Sequence, residues 1–253
     1  MDGWAIVDGT GTPLAEARIP ITDVGFTHGY SVFETLMLGP GRDLADNLTR
    51  LSKSAAAAMI SYPGDDLLRA EVARVAEQVG ADAVVRITLT GDGRRIVWAT
   101  PLETGRRGRP VRCATQPWLP QGSAIDGSVK HRSRMDWMVA LRRHGADEIL
   151  LVDAAGRFTE GTSSAVLASI DGRLMTAPWD GRILRSTTLA RLLRLANDLG
   201  IDVVRQGALA KGPFDGLYLA STTRWLAPVI ELDGRPLPGW DPIGKRLFDA
   251  TEA

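Results

Sequence analysis

Strand-like and helix-like patterns interleave along this chain without a fixed period, and that irregularity constrains the fold more than any single motif. Short apolar runs with strand character fall at 4–7, 31–38, 84–89, 96–100, 111–114, 148–152, 165–170, 174–176, 201–204, 217–220 and 229–232. Turn pairs punctuate them: Asp8-Gly9 closes the first run, and Asp171-Gly172 joins 165–170 to 174–176 as a hairpin. Helical spacing is found at 44–59, which holds the alanine run Ala55 to Ala58, and at 66–79, where Asp65 is the expected cap. It returns at 132–143 and at 187–199, the last led by Ser186 as its expected cap. A doubly wound sheet needs strict strand–helix alternation, so the pattern predicts an α+β protein. The segment 101–110 holds two prolines, three arginines and two glycines. It is the expected boundary between a smaller N-terminal α+β domain, 1–105, and a larger C-terminal one, 106–253.

Composition narrows the functional classes. Thirty basic residues balance thirty acidic ones, so bulk attraction to nucleic acid or an anionic membrane is not expected. The single cysteine, Cys113, forms no internal disulfide and builds no cysteine zinc site. Three histidines, His28, His131 and His144, leave little for a metal, and none is predicted. The opening MDGWAIVDGTG lacks the charged-then-apolar pattern of a signal peptide, and no apolar run is long enough for a membrane helix, so a cytoplasmic protein is expected.

Phosphate-loop, dinucleotide-loop, zinc-protease and nucleophile-elbow motifs are missing from the chain. Three places remain. Lys130 follows a flexible stretch and sits beside His131, Arg132 and Arg134, and an amine crowded by cations becomes a usable nucleophile or base. Glu160 lies between the Gly156 turn and Gly161-Thr162-Ser163-Ser164, where a carboxylate can face a ligand's ring nitrogen. Ser186-Thr187-Thr188 opens a predicted helix and offers hydroxyls and unpaired amides to an anion. Taken singly, each place reads better as the blander feature: a surface basic patch, a loop carboxylate and a simple serine cap.

Together they resemble the class IV aminotransferases, the fold type IV pyridoxal-phosphate enzymes, which include branched-chain aminotransferases, D-amino-acid aminotransferases and aminodeoxychorismate lyases. The segment 23–35 looks like the family's D-x-G-x-x-x-G-x-x-V-F-E-T, and 47–55 looks like H-L-x-R-L-x-x-S-A. Lys130, the strand and turn over 146–156 with Glu160, and the segment 176–188 match in order, so the resemblance spans about 3–235. It implies a two-domain fold, a homodimer, and pyridoxal 5'-phosphate bound covalently by Lys130 with Glu160 at the pyridine nitrogen. It further implies that Arg50, Ser186, Thr187, Thr188 and Thr223 hold the cofactor, and that His28, Arg134, Thr222 and Arg224 meet substrate. The chain departs from the pattern at Asn47, Ala165, Ser186 and His28, and Arg224-Trp225 is too bulky and charged for a simple aliphatic pocket.

Lys130-His131, Arg134 and the Arg-Ser-Thr-Thr segment look closer to the lyase branch. The reaction expected first is therefore conversion of 4-amino-4-deoxychorismate to 4-aminobenzoate and pyruvate, a step of folate biosynthesis. The alternative is an aminotransferase moving an amino group between an amino acid or amine and a 2-oxo acid. The expected partners are small-molecule amine and carboxylate substrates.

Overall fold

The computed structural model describes residues 2–39, 44–80, 82–103, 105–118 and 124–251. Its backbone contacts divide the chain into two units, Met1–Thr104 with Val129–Arg134, and Gly105–Ser128 with Met135–Ala253.

In the first unit, β1 (Trp4–Val7) and β2 (Thr10–Pro13) form a hairpin across Asp8 and Gly9, both at positive φ. A short helix α1 (Val24–Thr27) precedes β3 (Ser31–Met37), α2 (Ala45–Ala57) and α3 (Asp65–Val79). The long hairpin β4 (Ala83–Thr90) and β5 (Arg95–Pro101) completes a five-stranded antiparallel sheet in the order β2-β1-β5-β4-β3. Leu68, Val72 and Val75 recur along one face of α3 and are buried, the stripe its sequence spacing demands. Asp65 is not the cap of that helix: Gly64 takes the position, and the Asp65 carboxylate instead accepts a hydrogen bond from the Tyr62 hydroxyl at 2.6 Å.

The second unit carries β6 (Val111–Pro117), α4 (Met135–His144), β7 (Glu148–Val152), β8 (Phe158–Gly161), β9 (Ala165–Ile170) and β10 (Arg173–Met175). After these come α5 (Thr187–Asp198), β11 (Val203–Val204), β12 (Gly216–Ser221), β13 (Trp225–Leu232), β14 (Arg235–Pro236) and α6 (Pro242–Asp249). The strand order is β11-β10-β9-β12-β13-β6-β7-β8, and β8 pairs β9 as well as β7, which closes the sheet on itself. Strand alternation sorts the core. Leu217 and Leu219 join Leu150, Phe158 and Val229 in one cluster, while Tyr218 and Ala220 point the other way, to Leu189, Leu192 and Leu247 of α5 and α6.

This is an α+β, two-domain architecture, as the resemblance implied. Two readings of the sequence change. The helix expected at 132–143 begins only at Met135, and the segment bearing Lys130, expected with the C-terminal domain, belongs to the first unit. The reason is backbone pairing with β3: Phe33 N–H donates to Lys130 O at 2.9 Å, Arg132 N–H donates to Ser31 O at 3.0 Å, and Val32 bridges His131. The Pro/Gly/Ser stretch at 117–128 that precedes Lys130 lies in part outside the described residues. Among the described residues no helix is long and apolar enough to cross a membrane.

Candidate active site

In the first unit the site residues are organised by β3. Its run from Ser31 to Met37 is apolar except at a few positions, and Glu34 is wholly buried there. A buried carboxylate requires compensation. Arg50 supplies it as a two-pronged pair, Nε to Oε1 at 2.6 Å and Nη2 to Oε2 at 2.8 Å. Asn47 adds Nδ2 to Oε2 at 3.0 Å, so this departure from the family pattern serves the same carboxylate. The guanidinium expected to meet a phosphate is thus held in a fixed plane.

Lys130 is anchored on both sides of its backbone. Its amide donates to the Ser54 hydroxyl on α2 at 3.1 Å, and its carbonyl receives Phe33. Its ammonium sits 4.7 Å from the Phe33 ring centroid. The Arg134 guanidinium lies 5.0 Å from the same centroid. Burial first, and the charge of Arg134 second, push the neighbouring His131 ring below its ordinary pKa. His28 caps the end of α1; it is exposed, with Nδ1 2.7 Å from the Thr27 hydroxyl.

In the second unit Glu160 stands on β8, opposite Ala165 of β9. A strand there was not expected; Phe158-Thr159-Glu160-Gly161 is too short and mixed to show periodicity. Glu160 Oε2 accepts the Leu184 amide at 3.0 Å, tying the carboxylate to the segment that leads into α5. At the head of α5, Ser186 Oγ receives the Leu189 amide at 3.1 Å, the expected serine cap. Thr187 and Thr188 are the first two residues of the helix, where amides lack intrahelical partners. Glu160 and the α5 terminus therefore share one short segment of the second unit, as Lys130, Arg50 and Arg134 share the first.

Thr222 and Thr223 lie in the turn between β12 and β13. Arg224 follows, and its Nη1 is committed to Glu148 Oε2 at 2.7 Å. Glu148 is buried and also accepts the Thr162 hydroxyl at 2.5 Å and the Ser163 amide and hydroxyl at 2.7 and 2.6 Å. Arg224, expected at substrate, ties the turn between β12 and β13 to Glu148 of β7, and Glu148 in turn holds the turn after Glu160. Sequence reasoning overlooked Glu34, Ser54 and Glu148. The signal for the two acids was present: Glu34 is the one carboxylate inside β3, and Glu148 opens the otherwise apolar β7. Among the described residues no group of three or more His, Cys, Asp or Glu side chains could hold a metal ion.

The model of the Amino-transferase class IV family matches residues 31–232. The chain belongs to that family. A putative branched-chain-amino-acid aminotransferase of Methanocaldococcus jannaschii is 25% identical over 247 residues, covering 87% of this chain and 84% of that protein. A hypothetical aminotransferase from Mycobacterium tuberculosis, in an α-ketoglutarate and PMP bound form, superposes with a TM-score of 0.85 at 27% identity over 99% of this chain and 98% of that one. The branched-chain aminotransferase of Thermoproteus uzoniensis with norvaline gives 0.86 at 22% identity, covering 98% and 93%, a likeness of fold.

These comparisons overturn the lyase expected from the sequence. The curated relatives named are branched-chain-amino-acid aminotransferases.

Proposed function

We propose that this class IV family member is a pyridoxal-phosphate-dependent aminotransferase that moves an amino group from an amino acid to a 2-oxo acid. The observation that carries the reading is the likeness, at 27% identity over nearly the whole chain, to a hypothetical aminotransferase from Mycobacterium tuberculosis bound to PMP and α-ketoglutarate. An amino-group carrier paired with a 2-oxo acid is what a transfer cycle requires and a lyase does not.

The residues present fit the cofactor. The α5 N-terminus and the Arg50 guanidinium suit a phosphate dianion, Glu160 suits a protonated ring nitrogen, and Lys130 supplies the primary amine. When bound, the group contributes an aldehyde carbon and an electron-withdrawing ring. The chain's own residues do the rest. Lys130 holds the group and moves the proton at the substrate's α-carbon. Glu160, oriented by the Leu184 amide, keeps the proton on the ring nitrogen. Ser186, Thr187, Thr188 and Thr223 belong to the phosphate side of this reading, and His28, Arg134 and Thr222 to the substrate side. A homodimer completes it; Met135, Met138 and Val139 line one exposed face of α4 and give a second copy apolar surface to bury.

The test is spectroscopic. Purified protein saturated with pyridoxal phosphate and given an amino acid alone should convert its bound cofactor to the pyridoxamine form, and a 2-oxo acid should restore it. Lys130→Ala should bind the cofactor without cycling. Wild-type protein that binds the cofactor but converts no amino acid among a panel of standard donors would end the reading. Light scattering after gel filtration checks the dimer.

A further inference from the structure

The amide that orients Glu160 belongs to a stretch with no regular structure. Residues 176–186, between β10 and α5, form neither helix nor strand. Leu184 sits near the end of that stretch, and its N–H donates to Glu160 Oε2 at 3.0 Å. An amide on an irregular segment can aim a carboxylate only if the segment is itself held.

Arg182, two residues earlier, supplies the hold. Its Nη1 donates to Asp153 Oδ2 at 3.1 Å, and its Nε donates to Asp180 Oδ2 at 2.8 Å. Asp153 is built into the turn that leads from β7 to β8, the strand of Glu160: its Oδ1 receives the Ala155 and Arg157 amides at 3.0 and 2.9 Å. The irregular segment is thus joined to the β7–β8 hairpin twice, at the turn through Arg182 and on the strand through the Leu184 amide. The backbone of 181–182 is also braced from behind. Gly127 N–H donates to Gly181 O at 2.8 Å, and a Cβ at Gly127 would run into the Arg182 carbonyl. Both acids stay ionised at neutral pH. Burial raises the Asp153 pKa, but the Arg157 amide and the Arg182 guanidinium outweigh it and hold the group below the usual carboxylate range. The Arg182 guanidinium does the same to Asp180. The Arg182 side chain is 39% exposed, so this bridge contributes little to global stability, and its effect on geometry can be measured apart from folding.

We propose that Arg182 is a positioning residue: by tying its segment to the β7–β8 turn it sets the Leu184 amide on Glu160, and so sets the carboxylate that keeps the cofactor's ring nitrogen protonated. This rests on the cofactor placement given above. Arg182 touches neither the cofactor nor the substrate in this assignment and acts through Leu184 and Glu160 alone. Its planar fork meets two carboxylates at once, which a lysine ammonium on a flexible stem does not reproduce.

The experiment compares wild type, Arg182→Met, Arg182→Lys and Asp153→Asn, and its first two measurements need no substrate. Titration of each apoprotein with pyridoxal phosphate gives the affinity, which should fall on the order of 10-fold in Arg182→Met as Glu160 loses its alignment. Absorbance of the loaded proteins is then followed from neutral to alkaline pH. A ring nitrogen that has lost its proton draws less charge from the nitrogen that joins Lys130 to the cofactor, so the midpoint of the spectral change should move to higher pH in Arg182→Met. Asp153→Asn keeps the oxygen that caps the turn but faces the guanidinium with an amide, and should move the midpoint the same way. Arg182→Lys should lie between wild type and Arg182→Met. With an amino acid that the wild type converts, the maximal rate should fall in Arg182→Met while the half-saturating concentration stays within about twofold. A lowered melting temperature with unchanged affinity and midpoint would mean that Arg182 only supports the fold, and would overturn the assignment. A raised half-saturating concentration at an unchanged rate would place Arg182 at the substrate and overturn it equally. Either result leaves the aminotransferase standing, whereas a wild type that takes up no cofactor would remove both.

Discussion

The Arg50 guanidinium and the Glu34 carboxylate face each other as a two-pronged pair, with Nε to Oε1 at 2.6 Å and the arginine only 11% exposed. The carboxylate is wholly buried and its second oxygen also receives Asn47. Such a pair fixes the guanidinium plane before any phosphate arrives. Glu34→Gln should keep the fold while weakening cofactor binding about tenfold, since the lost charge-assisted contact is of order 1.5 kcal/mol. Titration of apoprotein with pyridoxal phosphate, followed by absorbance, measures it. An unchanged affinity would show that Arg50 needs no such alignment.

Arg224 and Glu148 provide the matching case in the second unit. Glu148 is 1% exposed and Arg224 15%, so the pair is nearly dry. Arg224→Met leaves the carboxylate with hydroxyl and amide donors but no counter-charge, and should cost about 3–5 kcal/mol of stability. Because this guanidinium is spent on Glu148, the half-saturating substrate concentration should change far less than the urea midpoint. A variant with wild-type stability and greatly weakened substrate binding would restore Arg224 to the substrate.

Legibility followed the range of the interactions. Strand 148–152 and helix 187–199 declared themselves because their signals are local: a β-branched and leucine run, and a serine cap ahead of apolar residues at helical spacing. Lys130 and Glu160 were legible as a resemblance in order and spacing. The helix expected from 132 started late because Ser31 and Phe33, a hundred residues upstream, claim the backbone of 130–132 for pairing, which no local window contains. Helix α6 was overlooked although Asp241 and Pro242 form a standard start. The partners of Glu34 and Glu148 come from residues distant in sequence, so the need for a partner was readable and its identity was not.

Ser186 is at once the cap of α5 and a residue of the proposed phosphate segment. Its Oγ is engaged by the Leu189 amide at 3.1 Å. Ser186→Ala should therefore cost about 1 kcal/mol of stability. Ser186→Asp preserves the capping acceptor and adds a negative charge where a phosphate is proposed to sit. If the helix end does serve phosphate, the aspartate variant should retain stability yet bind pyridoxal phosphate more weakly than the alanine variant. Thermal melts of the apoproteins and cofactor titrations separate the two roles, and equal cofactor affinity in both variants would place the phosphate elsewhere.

Asp241 joins α6 to the sheet. Its carboxylate caps the helix through the Gly244 amide at 2.7 Å, accepts Ser169 Oγ at 2.6 Å and accepts the Tyr218 hydroxyl. Burial raises its pKa, but these hydrogen bonds, from Ser169 and Tyr218 first and then the Gly244 and Ile243 amides, outweigh it and hold the group below the usual carboxylate range. A depressed folded-state pKa contributes stability that is complete above the unfolded value, near 3.9, and is lost as pH falls through the lower folded value. Asp241→Asn keeps a capping oxygen but removes the charge, and should lower the unfolding free energy at neutral pH by about 1–3 kcal/mol. The gap between wild type and variant should stay constant from pH 7 to about 5 and narrow only in stronger acid. Urea unfolding across that series measures it; a gap that widens as pH falls below 4 would show that the carboxylate is not the stabilising form.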